Sequence, residues 1–314
     1  MLEFHKNNCT MKIVDLNHLI TVVYVIVDDI YQTFTPTHIK ERRNINTCIL
    51  SDSEIITISI VGELLTIDSE NAWFNFCKKN LRHLFPKFCD RTRFNRTRRS
   101  LHKVIEEIMN KTIFLLGYEH DPHRIADSMP IPVCKFGRAR FHKTFKGFAT
   151  YGVCPSKKET YLGFKLHLLV TLNGFVTNFI LTKANADDRE PLFDLVESYR
   201  SITIIGDKGY IGDTLASELK SERDITLIAM KKGNSKTQYP KAFRQTIFKL
   251  RRRIETSNSQ LCTQLNIERV LAKSTWGLIT RIKTKLLAFD LCLYINKLLG
   301  KDIDIAKIKE LVFG

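Results

Sequence analysis

Three acidic residues stand out for what they could do together. Asp127 lies in Arg124-Ile-Ala-Asp-Ser-Met129, Asp207 in Gly206-Asp-Lys-Gly-Tyr210 and Glu255 in Arg252-Arg-Ile-Glu-Thr256, spaced 80 and then 48 residues apart. Cutting a phosphodiester with two divalent metals needs carboxylates from separate elements converging on one point, because hard cations such as Mg²⁺ take oxygen ligands in near-octahedral array. Taken singly, each has an ordinary reading: an Asp after a strand as a turn or cap residue, a Glu amid arginines as an i,i+4 ion pair. Nearby, Lys208 could touch a phosphate or simply face solvent. Asp187 and Asp188 could bring a fourth carboxylate near the metals, but read as acids at a helix start. His120 and His123 read as surface loop, and Trp276 as core packing rather than a base-stacking ring.

The elements expected to hold these acids change period along the chain. Lys12 to Leu116 reads as helical throughout. Ser51-x-x-Glu54 is a capping box opening an apolar run to Leu65, and Asp68 or Ser69 can cap a helix through Phe76. After Pro86 a third helix is expected from Thr92 through Ile108, with the Arg-rich turn at its start. From Tyr161 to Val170 apolar residues alternate with period two, Asn173-Gly174 reads as a two-residue hairpin turn, and Phe175 to Leu181 returns. Pro191 in a first turn suggests a helix reaching Tyr199. Strands at 202–205 and 225–230 flank a helix at 211–219, so the middle of the chain predicts a mixed α/β sheet. Asp127 belongs to a first strand expected to end near Met129, because Pro130 and Pro132 cannot donate to a ladder. Helix spacing returns over Phe243 to Leu265, where Glu255 shares a face with Arg251 and Ser259, and again over Trp276 to Leu299.

Charge narrows the class of partner. The 314 residues carry 49 Lys and Arg against 33 Asp and Glu, a formal charge of +16. Two windows concentrate it: Lys78 to Lys103 holds ten bases and one acid, and Lys231 to Arg253 holds nine and none. Both interleave aromatics, which favours a phosphate-rich partner over a merely solvated face. No apolar run approaches the roughly 20 residues that a membrane span requires. Met1 to Thr10 has no apolar signal core, so a cytoplasmic protein is expected. Eight cysteines without a Cys-x-x-Cys pair read as reduced core thiols rather than a zinc site.

The stretches Asp127 to Cys134, Gly206 to Gly212 and Arg252 to Thr256 resemble, in order, the three acidic motifs of DDE transposases encoded by bacterial insertion sequences. Ala272-Lys-Ser-Thr-Trp-Gly-Leu278 and the tail through Gly314 look closest to the nine-eighty-two insertion-sequence family. The resemblance covers nearly the whole chain. It implies an RNase H-like mixed sheet flanked by helices, preceded by an all-helical basic domain. The domains would be 1–116 for DNA-end binding, 117–270 for catalysis and 271–314 as a helical extension packed on the catalytic domain. It implies Asp127, Asp207 and Glu255 as ligands of two Mg²⁺ ions, with Mn²⁺ substituting, and as the catalytic residues. Arg91, Arg93, Arg96, Arg98 and Arg99, with Lys208, Lys249, Arg251 and Arg252, would contact DNA. The substrates would be double-stranded terminal inverted repeats and target DNA, held by a homodimer, with no membrane partner. A metal-dependent endonuclease without strand transfer and a catalytically silent DNA-binding derivative remain as alternatives. The sequence departs from the wider superfamily around the last acid: Phe248 takes a Tyr place and Cys262 a Lys place, leaving Lys249, Arg251 or Arg252 to supply the phosphate contact.

Overall fold

A computed structural model describes residues 15–43, 45–155 and 157–300, which divide into two compact units. The helical unit takes α1 (Leu16–Phe34), α2 (Thr37–Lys40), α3 (Asp52–Leu64), α4 (Glu70–Asn80), α5 (Arg91–Ser100) and α6 (His102–Leu116). The sheet unit spans Gly117–Cys262 and Ile267–Thr275. It contains β1 (His123–Lys135), β2 (Thr150–Cys154), β3 (Glu159–Val170), β4 (Val176–Lys183), α7 (Leu192–Leu195), β5 (Thr203–Gly206), α8 (Asp213–Arg223), β6 (Thr226–Ala229) and α9 (Lys241–Thr263). The last helix, α10 (Thr275–Leu298), belongs from Trp276 onward to the helical unit.

In the helical unit the expected capping box forms. Ser51 accepts from Glu54 N–H while Glu54 accepts from Ser51 N–H, and Ser69 rather than Asp68 caps α4. Helix α3 is buried all round, as an interior helix must be, and α10 is nearly so. Being interior, they carry their polar groups inward as matched sets. Glu63 receives Arg281 Nε at 2.9 Å and Lys285 Nζ at 2.5 Å. The expected Thr92–Ile108 helix is instead two helices parted at Leu101, where the Ser100 hydroxyl donates to the Thr97 carbonyl. Trp276, expected in the core, is 53% exposed and meets the His102 ring edge-on.

The sheet runs β2-β3-β1-β5-β6, with β4 also paired to β3. β3 is antiparallel to β1, β2 and β4, whereas β1–β5 and β5–β6 are parallel. This is the expected mixed α/β sheet flanked by helices and preceded by helices. The β3–β4 connection is a three-residue loop rather than a two-residue turn: Thr171 N–H reaches Phe175 O at 2.9 Å, and Gly174 takes φ +91°.

β1 does not end at Met129. It pairs with β3 as far as Lys135, with an irregularity between Pro132 and Cys134. β5 pairs with β1 only over His123–Ile125, so farther along no described strand lies on the flank of β1 away from β3. Pro130 and Pro132 sit at alternate positions, their nitrogens turned to that flank, where a missing N–H costs no ladder bond. Asp127 is therefore an interior residue of a long strand, opposite Leu168.

One face of the sheet closes over Ala126, Leu169, Leu192, Leu195, Val196, Ile204, Tyr210 and Leu219. Helix α9 buries Ile247, Ile254 and Leu261, and its buried Ser257 donates to Gly174 O in the β3–β4 loop. That contact fixes the rotation of α9 at the turn of helix carrying Glu255.

Candidate active site

Asp127 is a half-buried carboxylate with few partners. Burial, the dominant influence, raises its pKa, and nearby Asp207 and Asp188 raise it further. Arg251 and the Ser128 N–H oppose them, and the group is pushed up to about 6. From α9, Asn258 Nδ2 donates to Asp127 Oδ2 at 3.1 Å. Arg251, Glu255 and Asn258 are spaced i, i+4 and i+7, so one stripe of α9 carries all three, and its two outer members both act on Asp127.

Asp207 follows β5 directly. Its Oδ1 accepts Gly209 N–H at 2.7 Å, closing the tight turn over Lys208–Tyr210. The Gly-Asp-Lys-Gly-Tyr sequence is explained by what crowds it. A Cβ on Gly206 would meet the Tyr210 ring at 2.9 Å, and one on Gly209 would meet both Asp207 Oδ1 and Asp188 Oδ2 at 2.9 Å. The Asp207 and Asp188 carboxylates are thus neighbours across Gly209, with buried Tyr210 beside them.

Asp188 is a carboxylate that the sequence reading set aside as a helix-start acid. Its predecessor takes the turn role: Asp187 accepts from the Arg189 N–H and guanidinium, which hold its carboxyl down at about 2. Asp188 instead turns to β3, where Lys165 Nζ lies 3.1 Å from Oδ1 and also donates to Ala186 O at 2.7 Å. His167, fully buried, has Nδ1 at 3.8 Å from the same oxygen and Nε2 at 2.9 Å from Thr182 Oγ1. Burial outweighs Asp188 and brings the His167 pKa down to about 4, so the ring is neutral at pH 7. The available signal was Lys165, which shares one face of β3 with His167 and whose half-buried ammonium needs an acid.

Asp127 and Asp207 therefore belong to one electrostatic neighbourhood, joined by Asp188. Glu255 is exposed on the α9 stripe, with its carboxylate outside the groups acting on Asp127. Among the described residues, no three Asp, Glu, His or Cys side chains stand close enough to hold a metal ion as they are.

The expected DNA contacts divide. Lys208, Lys249 and Arg252 are exposed, Arg251 is half-buried beside Asp127, and Arg91, Arg93 and Arg96 line the open side of α5. Arg99 is half-buried and its Nε donates to Asn95 O. Arg98 is a correction. It is 6% exposed and paired with Glu70, because α5 turns Phe94 and Arg98, one turn apart, into the core. Phe85 and Phe94 of the same window are core residues, whereas Phe243 and Phe248 on α9 are exposed. Cys262, in the expected Lys place, has its thiol pushed up to about 12 by burial and offers no charge to a phosphate.

Residues 119–275 match the family model described as "Transposase DDE domain", half of the chain and the whole of the cluster above. The chain belongs to the DDE transposases. No curated protein matches the sequence of this transposase at a significant level. No described helix is long and apolar enough to cross a membrane.

DDE transposase domains generally work with divalent metals, and the donor set of this transposase fits such an ion. The site offers hard carboxylate oxygens whose mutual repulsion a cation would relieve. Arg251 Nε, Asn258 Oδ1 and the Tyr210 hydroxyl are buried around it with no partner among the described residues. A buried acidic site with orphaned polar groups is completed by ions and water rather than by further side chains.

Proposed function

We propose that this chain is the DNA transposase of an insertion sequence, of the nine-eighty-two kind, which cuts DNA at element ends and joins those ends to target DNA in the cytosol. The observation that carries the reading is the gathering of Asp127, Asp207 and Asp188 into one acidic neighbourhood within the residues that match the transposase domain. Asp127 and Asp207 would hold two Mg²⁺ ions, or Mn²⁺ in their place, with Glu255 as third ligand from α9. Bound there, the ions supply Lewis acidity and a water or DNA 3′-hydroxyl made nucleophilic at neutral pH.

The protein's own part is positioning. Asn258 and Arg251 fix Asp127 from α9, and Gly209 N–H fixes Asp207. Lys165 holds Asp188 beside Asp207 and offsets part of the cluster's negative charge. Exposed Lys208, Lys249 and Arg252 are placed to bind phosphates flanking the scissile one, and Arg91, Arg93, Arg96 and Arg99 of the helical domain to grip the double-stranded terminal repeats. Two ends are processed together by a homodimer assembled on DNA.

Incubating the protein with Mg²⁺, end DNA and a target plasmid tests this. Cleaved ends covalently joined to the plasmid are expected. Hydrolysis without joined product would reduce the protein to a metal-dependent endonuclease, and binding without cleavage to a silent derivative. On paired ends, light scattering should give two subunits per complex; one subunit would remove the homodimer.

A further inference from the structure

The segment between β1 and β2 carries a second kind of surface. Phe136, Phe141 and Phe148 are 61%, 68% and 60% exposed, and Tyr151 on the adjoining edge strand is 49% exposed. Large rings so open to water are costly singly and unusual together. They are not loosely hung: Phe145, from the same segment, is buried edge-on against Phe164 of β3 at 5.5 Å, and Ala139 is buried too. Phe136 lies edge-on to Tyr151 at 5.6 Å, so two outward rings form a pair.

Charge is interleaved with the rings. Arg138, Arg140, Lys143 and Lys146 are all exposed, and none is ion-paired among the described residues. The Arg140 guanidinium lies 4.6 Å from the Phe141 ring centre. From Lys135 to Lys158 the sequence has seven Lys and Arg and no acid. This is a third basic run, outside the two windows that dominate the sequence.

We infer that this segment is a binding surface for unpaired DNA, its rings stacking on bases and its cations following the phosphates. Positive charge alone would suit a duplex, but a duplex hides its base faces in its own stack, and phosphate contacts gain nothing from phenylalanine. Exposed aromatics among cations match a strand whose bases are free to stack. The surface begins beyond Lys135, eight residues along β1 from Asp127, or about 25 Å of extended chain, and its Tyr151 end adjoins Thr150, which bonds Asn185 of the segment that leads to Asp188. The inference rests on reading the chain as a DNA-processing enzyme, and gives that enzyme a hold on a displaced or frayed strand outside the carboxylates themselves.

Fluorescence anisotropy of the full chain tests it, using a labelled oligothymidylate of about 20 nucleotides, longer than one stacking platform covers, and a duplex of equal length. Replacing the rings together (Phe136→Ser, Phe141→Ser and Phe148→Ser) should weaken oligothymidylate binding about tenfold or more and leave duplex binding within about twofold. The variant Phe141→Trp should keep the affinity, and its added fluorescence should be quenched by oligothymidylate. Equal losses on both DNAs, no loss on either, or an unquenched Trp would overturn the proposal. So would a ring variant whose only change is weaker self-association in light scattering, which would make the patch a contact between copies. End cleavage is scored in parallel. A protein that cuts nothing yet shows ring-dependent oligothymidylate binding refutes the catalytic reading and keeps this one. Normal cleavage with ring-independent binding does the reverse.

Discussion

Glu63 is buried and Asp127 half-buried, and the two carboxylates have opposite fates. At Glu63, burial pushes the pKa up, but Lys285 and Arg281 overcome it, and the group ends below its ordinary value. At Asp127, burial pushes the same way and the neighbours Asp207 and Asp188 add to it, with Arg251 too weak to reverse the balance. The helical unit has neutralised its buried acid with bases one helical turn apart on α10. The sheet unit has placed acids beside an acid. The first arrangement is a closed structural pairing, the second an open demand for positive charge.

The sharpest way to break the comparison is to remove one acid from each side. Asp207→Ala should keep DNA binding and lose cleavage by roughly a thousandfold or more, since Lewis-acid assistance is worth several kcal/mol, while the denaturation midpoint hardly moves. Cleavage at the wild-type rate would take Asp207 out of the mechanism. Glu63→Gln should do the reverse: urea denaturation should show a loss of about 3–5 kcal/mol, because Arg281 and Lys285 are left buried without their counter-charge, and DNA cleavage per folded molecule should persist. A loss below about 1 kcal/mol, the surface-pair range, would put Glu63 in the same class as an exposed ion pair.

A smaller effect separates the two acids by sign. The depressed Glu63 carboxyl contributes stability that is full above the unfolded value near about 4.3 and is lost as pH falls through its folded pKa. The raised Asp127 carboxyl works oppositely. Between about 3.9 and about 6 the folded state binds the extra proton, so stability falls as pH rises through that window. In chelator-treated protein Asp127→Asn should therefore melt higher than wild type at pH 7.5 and converge with it near pH 4, a gap of up to about 3 kcal/mol. Added Mg²⁺ should stabilise wild type and leave the variant unmoved. A variant that melts lower than wild type at pH 7.5 would mean that Asp127 is satisfied like Glu63.

The smallest expected effect lies within α5. Arg96→Ala should reduce the slope of log K against log salt for duplex binding by about 0.9, one phosphate contact, without altering stability. Arg98→Ala should leave that slope unchanged and destabilise the helical domain, because Arg98 is buried against Glu70. Identical slopes for wild type and Arg96→Ala would remove Arg96 from the DNA interface.

These contrasts also show what could be read without coordinates. Period and punctuation gave the architecture: alternation at 161–170, the Asn173-Gly174 signal, the Ser51 capping box and the buried strand before Asp207 all reappear in their elements. What escaped depended on partners distant in sequence. Arg98 looks like its neighbours until Glu70 is placed beside it. Asp187 and Asp188 are adjacent acids, yet one closes a turn and the other reaches Lys165 on β3. Pro130 and Pro132 argued for a short strand because a proline's cost depends on which flank of the strand is paired, and only topology states that. Glu255 could be assigned to a helix face but not to a distance, since its placement depends on how α9 rotates over the β3–β4 loop.

Those same prolines have a bearing on how the protein behaves at high concentration. Past Ile125 the outer margin of β1 lacks two successive same-side donors, so a foreign extended segment arriving there would find carbonyls without the matching amides. Growth of the sheet by strand addition is blocked where the longest strand would otherwise invite it. The protein is thereby protected from intermolecular β-pairing at that margin.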